Sequence, residues 1–192
     1  YLRNFASALL RSLGVSTEID RLTWRGRSIR LGCFGMGIDA RGFDALARDP
    51  SVLERAREVR GDSDTKILLG IDRLDYTKGI LERFLAVERL LERHPRFLGR
   101  FFFLQAAAPS RTFIGAYRKL GEDVEALAAR INQRFGSDGR GPIVLHREHT
   151  EPDGVMRIYR AASLCYVSSL HDGMNLVAKE FVSARDDLRG VL

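Results

Sequence analysis

Cysteine is scarce in this sequence, which has only Cys33 and Cys165 among its 192 residues. Both lie in apolar segments, so we expect two buried free thiols rather than a disulfide. The four histidines show no metal-ligand spacing, and no metal site is expected. No apolar run is long enough for a helix to span a bilayer. The free thiols fit a cytoplasmic location, and we expect no membrane partner. The first residues also lack the order of a signal peptide.

The features of a nucleic-acid-binding protein are also missing. The formal net charge of +6 comes from 31 basic residues that are spread along the chain among 25 acidic ones. There is no arginine-rich tail, and aromatic residues do not alternate with basic ones as in a surface that stacks on bases. An anionic small molecule is therefore the partner that the charge favours, and nucleic acid is the weaker alternative.

Apolar periodicity predicts alternating strands and helices over most of the chain. We expect an opening helix that ends at Gly14, a hairpin that turns at 25–27, and a helical stretch over 41–60 that is interrupted at Asp49 and Pro50. Beyond the polar run at 61–64, strands are predicted at 66–71, 101–105, 143–146 and 164–167. Helices are predicted after Gly79, at 113–135 and 153–162, and from about Met174; residues 190–192 resemble the start of another strand. This order is typical of an α/β fold, a Rossmann-like, mostly parallel sheet with helices on both faces.

The stretch from Gly70 to Gly79 places two cations between a predicted strand and the helix that follows it. Arg73 and Lys78 stand in this junction. In open α/β sheets, ligands bind at the carboxyl ends of the strands. Two cations beside the start of a helix suit a phosphate or a diphosphate. The alternative is a solvated loop that carries these charges by chance.

A second junction, at 171–180, carries acidic residues. Asp172 precedes a predicted helix, whose first N–H groups offer a second place for an anion. Glu180 lies on about the same helical face as Asp172, where a carboxylate can accept hydrogen bonds from two hydroxyls of a sugar or a ribose. Alternatively, Asp172 is a helix N-cap and Glu180 a surface acid. Arg111 follows another strand, so the three junctions together predict a polar cleft for two phosphorylated ligands.

Four segments of the chain together resemble the trehalose-6-phosphate synthase family. They are DRLDYTKGILERF at 72–84, LQAAAPSR at 104–111, AARINQRFG at 128–136 and DGMNLVAKEFVSA at 172–184. The family consists of retaining glycosyltransferases with the GT-B fold, and the resemblance covers the whole chain. It implies transfer of glucose from UDP-glucose to glucose 6-phosphate, without a cofactor or metal. It also implies an internal fragment, inactive alone, in which 1–60 is the tail of the N-terminal domain and 61–192 a truncated C-terminal domain.

The resemblance also implies a role for each candidate residue. Arg73 and Lys78 would be the catalytic cations that bind the donor diphosphate and stabilise it as it leaves. Asp172 would hold hydroxyls of the donor glucose, Glu180 the ribose hydroxyls, and Arg111 the phosphate of the acceptor. The backbone facing the donor phosphates would be that of Asn175, Leu176 and Val177. No closely spaced carboxylate pair of the glycosidase kind is evident, which fits front-face transfer.

Some alternatives stay open on the sequence. A glucosylglycerol-phosphate synthase would share the donor and differ in the acceptor, a related transferase would use ADP-glucose, and an inactive nucleotide-sugar-binding fragment would share the donor residues. The chain has His171 where the family usually has Arg, and Ser168 and Ser169 where it usually has Thr-Pro. These differences put the local loop shape in question. Whether the full-length protein is a homo-oligomer is also open.

Overall fold

The computed structural model describes residues 2–18, 20–61, 64–136 and 141–192. The chain forms two compact units, Tyr1–Gly37 and Ile38–Leu192. Asp62 and Ser63, which belong to the predicted boundary run, lie outside the described residues. The division at residue 60 concerns the two domains of a longer protein, and it stays a prediction.

The first unit consists of a helix and a small antiparallel sheet. Helix α1 (Leu2–Leu13) ends before Gly14, as its apolar pattern predicts. The strands are β1 (Thr17–Glu18), β2 (Arg21–Trp24) and β3 (Arg27–Arg30), in the order β1-β2-β3. Arg25 and Gly26 both have positive φ angles, 51° and 75°, which is the backbone that a tight two-residue hairpin requires. The predicted hairpin is confirmed.

The second unit is an α/β fold, as predicted. Its helices are α2 (Ala40–Ala47), α3 (Pro50–Arg60), α4 (Ile80–Arg93), α5 (Gly115–Phe135), α6 (Pro152–Ala161) and α7 (Leu176–Ser183). Its strands are β4 (Lys66–Arg73), β5 (Phe101–Ala108), β6 (Ile143–His146) and β7 (Leu164–Cys165). The order across the sheet is β6-β5-β4-β7, and every pair is parallel. All the strand-to-helix loops therefore leave from one edge of this sheet.

Alternating side chains of the strands fill two hydrophobic cores, one on each face of the sheet. Ile67 and Leu69 pack with buried residues of α2, α3, α6 and α7. Phe101 and Phe103 pack on the other side with buried residues of α4 and α5. Because successive residues of a strand point to opposite faces, one apolar strand can serve both cores. The predicted helices on both faces of the sheet are confirmed.

Three local predictions have different outcomes. Cys165 is buried and free, as predicted, but the prediction of a buried Cys33 is wrong because that thiol lies in an exposed segment without regular structure. Helix α7 begins at Leu176 rather than near Met174. Near the end of the chain, Val191 forms a single parallel bridge with Leu164.

None of the described helices is both long enough and apolar enough to cross a membrane.

The buried face of α4 offers a direct test of the second core. Phe84 is fully buried, and its ring centroid lies 6.1 Å from that of Phe103. We expect Phe84→Ala to lower the free energy of unfolding by about 3–5 kcal/mol, because it leaves a cavity in a packed interior. The matched control is Leu85→Ala on the exposed side of the same helix, where we expect a change within about 0.5 kcal/mol. Urea unfolding measures both, and equal effects would contradict this description of the core.

Candidate functional site

A cavity of about 540 Å³ opens at the carboxyl edge of the parallel sheet. This volume is in the range of small-molecule sites. The loops after β4, β5, β6 and β7 and the start of α7 all contribute to its wall. The predicted site residues that line it are Arg73, Lys78, Asp172, Asn175, Leu176 and Val177.

A single turn of 3₁₀ helix, Tyr76–Lys78, holds Lys78 at the wall of this cavity. Asp75 caps the turn, since its carboxylate accepts hydrogen bonds from the Thr77 amide at 2.9 Å and the Thr77 hydroxyl at 2.8 Å. Burial acts to raise the pKa of Asp75, but these bonds and one from Tyr117 outweigh it and lower the pKa. The carboxylate therefore stays ionised and keeps the turn closed.

Gly79 lets the loop after β7 approach this turn closely. Its φ of 65° is in the left-handed region, and a Cβ there would lie 3.1 Å from Leu170 Cγ and 3.2 Å from the Ser168 carbonyl oxygen. The His171 amide, next in that loop, donates a hydrogen bond to the Thr77 carbonyl oxygen at 3.1 Å. Two loops that are far apart in the sequence are thereby fixed side by side.

The most direct link between these loops is an ion pair. Lys78 Nζ donates to Asp172 Oδ2 at 2.7 Å, and the two side chains are 16% and 24% exposed. The hydrogen bond from Lys78 lowers the pKa of Asp172, against the effect of burial. Arg73 is exposed, and its side chain makes no hydrogen bond or ion pair with the residues that the structure describes, although its charge contributes to lowering the pKa of Asp75. The cavity wall thus carries one cation that is paired with a carboxylate, Lys78, and one whose side chain has no such partner among the described residues, Arg73.

The start of α7 faces the same cavity. Asn175 is its N-cap, accepting a hydrogen bond from the Ala178 amide at 3.2 Å and donating one to Asp172 Oδ2 at 3.2 Å. Asp172 is therefore not the N-cap that the sequence left open as an alternative. The amides of Leu176 and Val177 lie in the first turn, which has no carbonyl partners within the helix. They and the helix dipole favour an anion at this point.

Glu180 lies at a second cavity rather than in the wall of the first. This cavity, of about 520 Å³, shares residues His149, Thr150 and Val155 with the first, so the two are adjacent. The Tyr159 hydroxyl donates to Glu180 Oε2 at 2.8 Å, and the Glu180 residue is half-buried. The alternative of a freely solvated surface acid does not describe this carboxylate.

Arg111 also lies outside the wall of the first cavity, although Pro109, two residues before it, is part of that wall. Its guanidinium donates to the Tyr117 hydroxyl at 3.1 Å and stacks over the ring at 5.7 Å. Its φ of 48° is unusual for a residue with a side chain. The Arg111 side chain is thus held against Tyr117, close to the cavity edge but not in the cavity wall.

The sequence reasoning missed the loop after β6. Glu148, His149 and Thr150 of this loop line the first cavity. The signal was present, because this loop is a strand-to-helix junction like the other three. Among the described residues, no three His, Cys, Asp or Glu side chains are grouped so that they could hold a metal ion.

Comparisons with known proteins agree on one family. The model for glycosyltransferase family 20 matches residues 1–192. The chain is 39% identical to a bifunctional trehalose-6-phosphate synthase/phosphatase of Thermoproteus tenax, over all of this chain and 26% of that protein.

Two solved structures give the same result for the fold. A UDP-forming α,α-trehalose-phosphate synthase from Burkholderia xenovorans, in complex with glucose 6-phosphate, is 31% identical with a TM-score of 0.90, over 100% of this chain and 43% of that one. An E. coli protein bound with UDP-2-fluoro glucose is 32% identical with a TM-score of 0.83, over 93% of this chain and 40% of that one. The chain therefore spans between a quarter and a half of the length of these relatives.

The ion pair at the cavity wall predicts a shift in the titration of Asp172. We expect Lys78→Met to raise the pKa of Asp172, because it removes the strongest of the interactions that lower it. Since the pKa is lowered in the folded state, the pair stabilises the protein above the ordinary pKa of an aspartate, and this stability is lost as the pH falls through the folded-state pKa. Carboxyl NMR titration measures the shift. Lys119→Met, an exposed lysine in α5, is the control, and an unchanged Asp172 pKa in Lys78→Met would contradict the pairing.

Proposed function

Because this chain belongs to glycosyltransferase family 20, we propose that its first cavity is the donor site of a UDP-glucose-dependent enzyme. The whole enzyme would transfer glucose to glucose 6-phosphate with retention of configuration, giving trehalose 6-phosphate and UDP. The observation that carries the proposal is the arrangement of Arg73, Lys78 and the start of α7 around one cavity. Two cations and a helix N-terminus provide what a diphosphate requires.

The two adjacent cavities fit the two ends of such a donor. Asp172, at the wall of the first cavity, is a carboxylate that can accept hydrogen bonds from glucose hydroxyls. Glu180, at the second cavity, can do the same for the ribose, and Tyr159 holds one of its oxygens in place. A nucleotide sugar would then lie with its sugar and diphosphate in the first cavity and its nucleoside towards the second.

The proposed chemistry follows from the charges. The bond between the anomeric carbon and the diphosphate oxygen breaks, and the acceptor hydroxyl forms a new bond to that carbon on the same face. The hydroxyl proton passes to the departing diphosphate. Negative charge grows on this group as it leaves, and Arg73 and Lys78 stabilise that charge more than they stabilise the ground state. These cations can supply the stabilisation for which other enzymes use a divalent metal, so we propose that none is needed.

Arg111 is the residue that we assign to the phosphate of glucose 6-phosphate, and it lies beside the cavity edge. A related acceptor, as in glucosylglycerol-phosphate synthase, would use the same donor residues. We also propose a cytoplasmic enzyme that does not bind nucleic acid or membranes. An inactive fragment that retains nucleotide-sugar binding, or one that prefers ADP-glucose, remains an alternative for this chain alone.

Binding of UDP tests the diphosphate part of the site. Calorimetric titration of UDP into the chain should show binding that weakens about tenfold or more in Lys78→Ala, because a charge-assisted contact to a phosphate is lost. The control is Lys119→Ala, which removes the same charge from an exposed position on α5 and should leave the affinity unchanged. If the folded chain binds no UDP, or if both variants bind it equally well, the proposed donor site is wrong.

The assignment of Glu180 has a separate test that compares UDP with 2′-deoxy-UDP. The unchanged chain should bind UDP more tightly, whereas Glu180→Ala should bind the two ligands with nearly equal affinity, because its ribose contact is gone. Glu54→Ala, in α3, removes an exposed carboxylate and serves as the control. A preference for UDP that persists in Glu180→Ala would show that another group recognises the ribose.

A further inference from the structure

A buried arginine contacts Asp72, a residue in the wall of the first cavity. Arg83, in the first turn of α4, is 1% exposed, and its guanidinium is fully enclosed. Arginine is almost never buried in this way unless its charge is compensated. Its partners therefore indicate what it does.

The guanidinium of Arg83 joins the segments that carry the site. It donates to Asp72 Oδ2 at 2.7 Å, near the end of β4, and to Gln105 Oε1 at 3.0 Å in β5. It also donates to the Lys78 carbonyl oxygen at 2.9 Å and to Ser168 Oγ at 3.1 Å in the loop after β7. One side chain thus connects both central strands with the two loops that meet at the ion pair.

The neighbouring backbone leaves room for this cluster. Gly70 of β4 lies beside it, and a Cβ there would stand 2.4 Å from Gln105 Oε1 and 2.7 Å from Arg83 Nη1. Gln105 is itself fully buried. A side chain at position 70 would therefore displace the cluster, which shows that the cluster is part of the packed interior rather than an incidental surface contact.

Asp72 makes this cluster relevant to an anionic ligand. Its carboxylate is nearly buried and lines the first cavity, where the diphosphate would bind. Burial raises the pKa of Asp72, while the charge of Arg83 and its hydrogen bond oppose that effect, as does the charge of Lys78 to a smaller extent. Apart from Arg83, Lys78 is the cation whose charge lowers the pKa of Asp72, and it is also the cation proposed to bind the ligand.

We infer that Arg83 is a positioning residue for donor binding: it neutralises Asp72, so that Lys78 does not have to compensate a second carboxylate besides Asp172, and it holds the Lys78 backbone. This inference rests on the proposed function, because it concerns the affinity of the same site for UDP. Arg83 does not line the cavity, so it acts only through the residues that do.

The test compares UDP with uridine, which has no phosphate, in Arg83→Met and in Asp72→Asn/Arg83→Met. We expect Arg83→Met to weaken UDP binding by about tenfold or more and uridine binding far less, because an unpaired carboxylate then faces the phosphates. The double variant removes that carboxylate and should recover most of the UDP affinity. Arg89→Met, which removes an exposed arginine from the same helix, is the control and should bind both ligands unchanged. Calorimetry measures UDP binding, and ligand-observed NMR measures the weaker uridine binding.

The outcomes separate this inference from the proposed function. If the unchanged chain fails to bind UDP, the proposed function is overturned. If that chain binds UDP and Arg83→Met loses UDP and uridine to the same extent without recovery in the double variant, Arg83 is only structural. Should Arg83→Met not fold, Asp72→Asn alone decides, since its amide oxygen still accepts from Arg83. We expect it to bind UDP at least as tightly as the unchanged chain, and a loss of about tenfold would overturn the inference.

Discussion

The parallel pairing of β4 with β5 is the constraint on which the rest of the second unit depends. It runs without a break from Lys66 opposite Phe101 to Arg73 opposite Ala108. Because the pairing is parallel and in register, both strands end at the same level, and the loops that leave them start side by side. β6 and β7 extend the same edge on either side. Four segments that are distant in the sequence thereby contribute to one cavity.

The fold was largely predictable because its signals are local. Strands that are apolar throughout and helices with an apolar stripe differ clearly in period, and their alternation limits the topology to a parallel sheet. The errors arose where burial depends on tertiary contacts. Cys33 stands in an apolar segment with Phe34 and Met36, yet both of these side chains are exposed together with the thiol. An apolar composition without a periodic pattern does not show which side chains a neighbouring element will cover.

The residues of the site that stand in contiguous motifs at strand ends were predictable, whereas the orientation of side chains fixed by tertiary hydrogen bonds was not. Arg73, Lys78 and Asp172 stand in contiguous motifs at junctions, and sheet topology alone brings them together. Glu180 and Arg111 were assigned to the same cleft, but side-chain hydrogen bonds with Tyr159 and Tyr117 hold them at its margins. Such pairings depend on rotamers and distances that a sequence does not contain. Arg83 did leave a signal, because a cation on the apolar stripe of a helix is expected to need a buried partner.

The ion pair between Lys78 and Asp172 has a consequence for how the parts of a ligand act on one another. An anion that draws the ammonium away from Asp172 leaves this carboxylate without its strongest donor, which costs free energy because the side chain is only partly exposed to water. A ligand that brings hydroxyl groups to Asp172 as well restores those hydrogen bonds and offsets the cost. The two halves of a nucleotide sugar would therefore bind with positive cooperativity. A lone phosphate brings no such hydroxyl groups to Asp172. The ion pair between Lys78 and Asp172 would therefore make a lone phosphate bind less tightly than a nucleotide sugar.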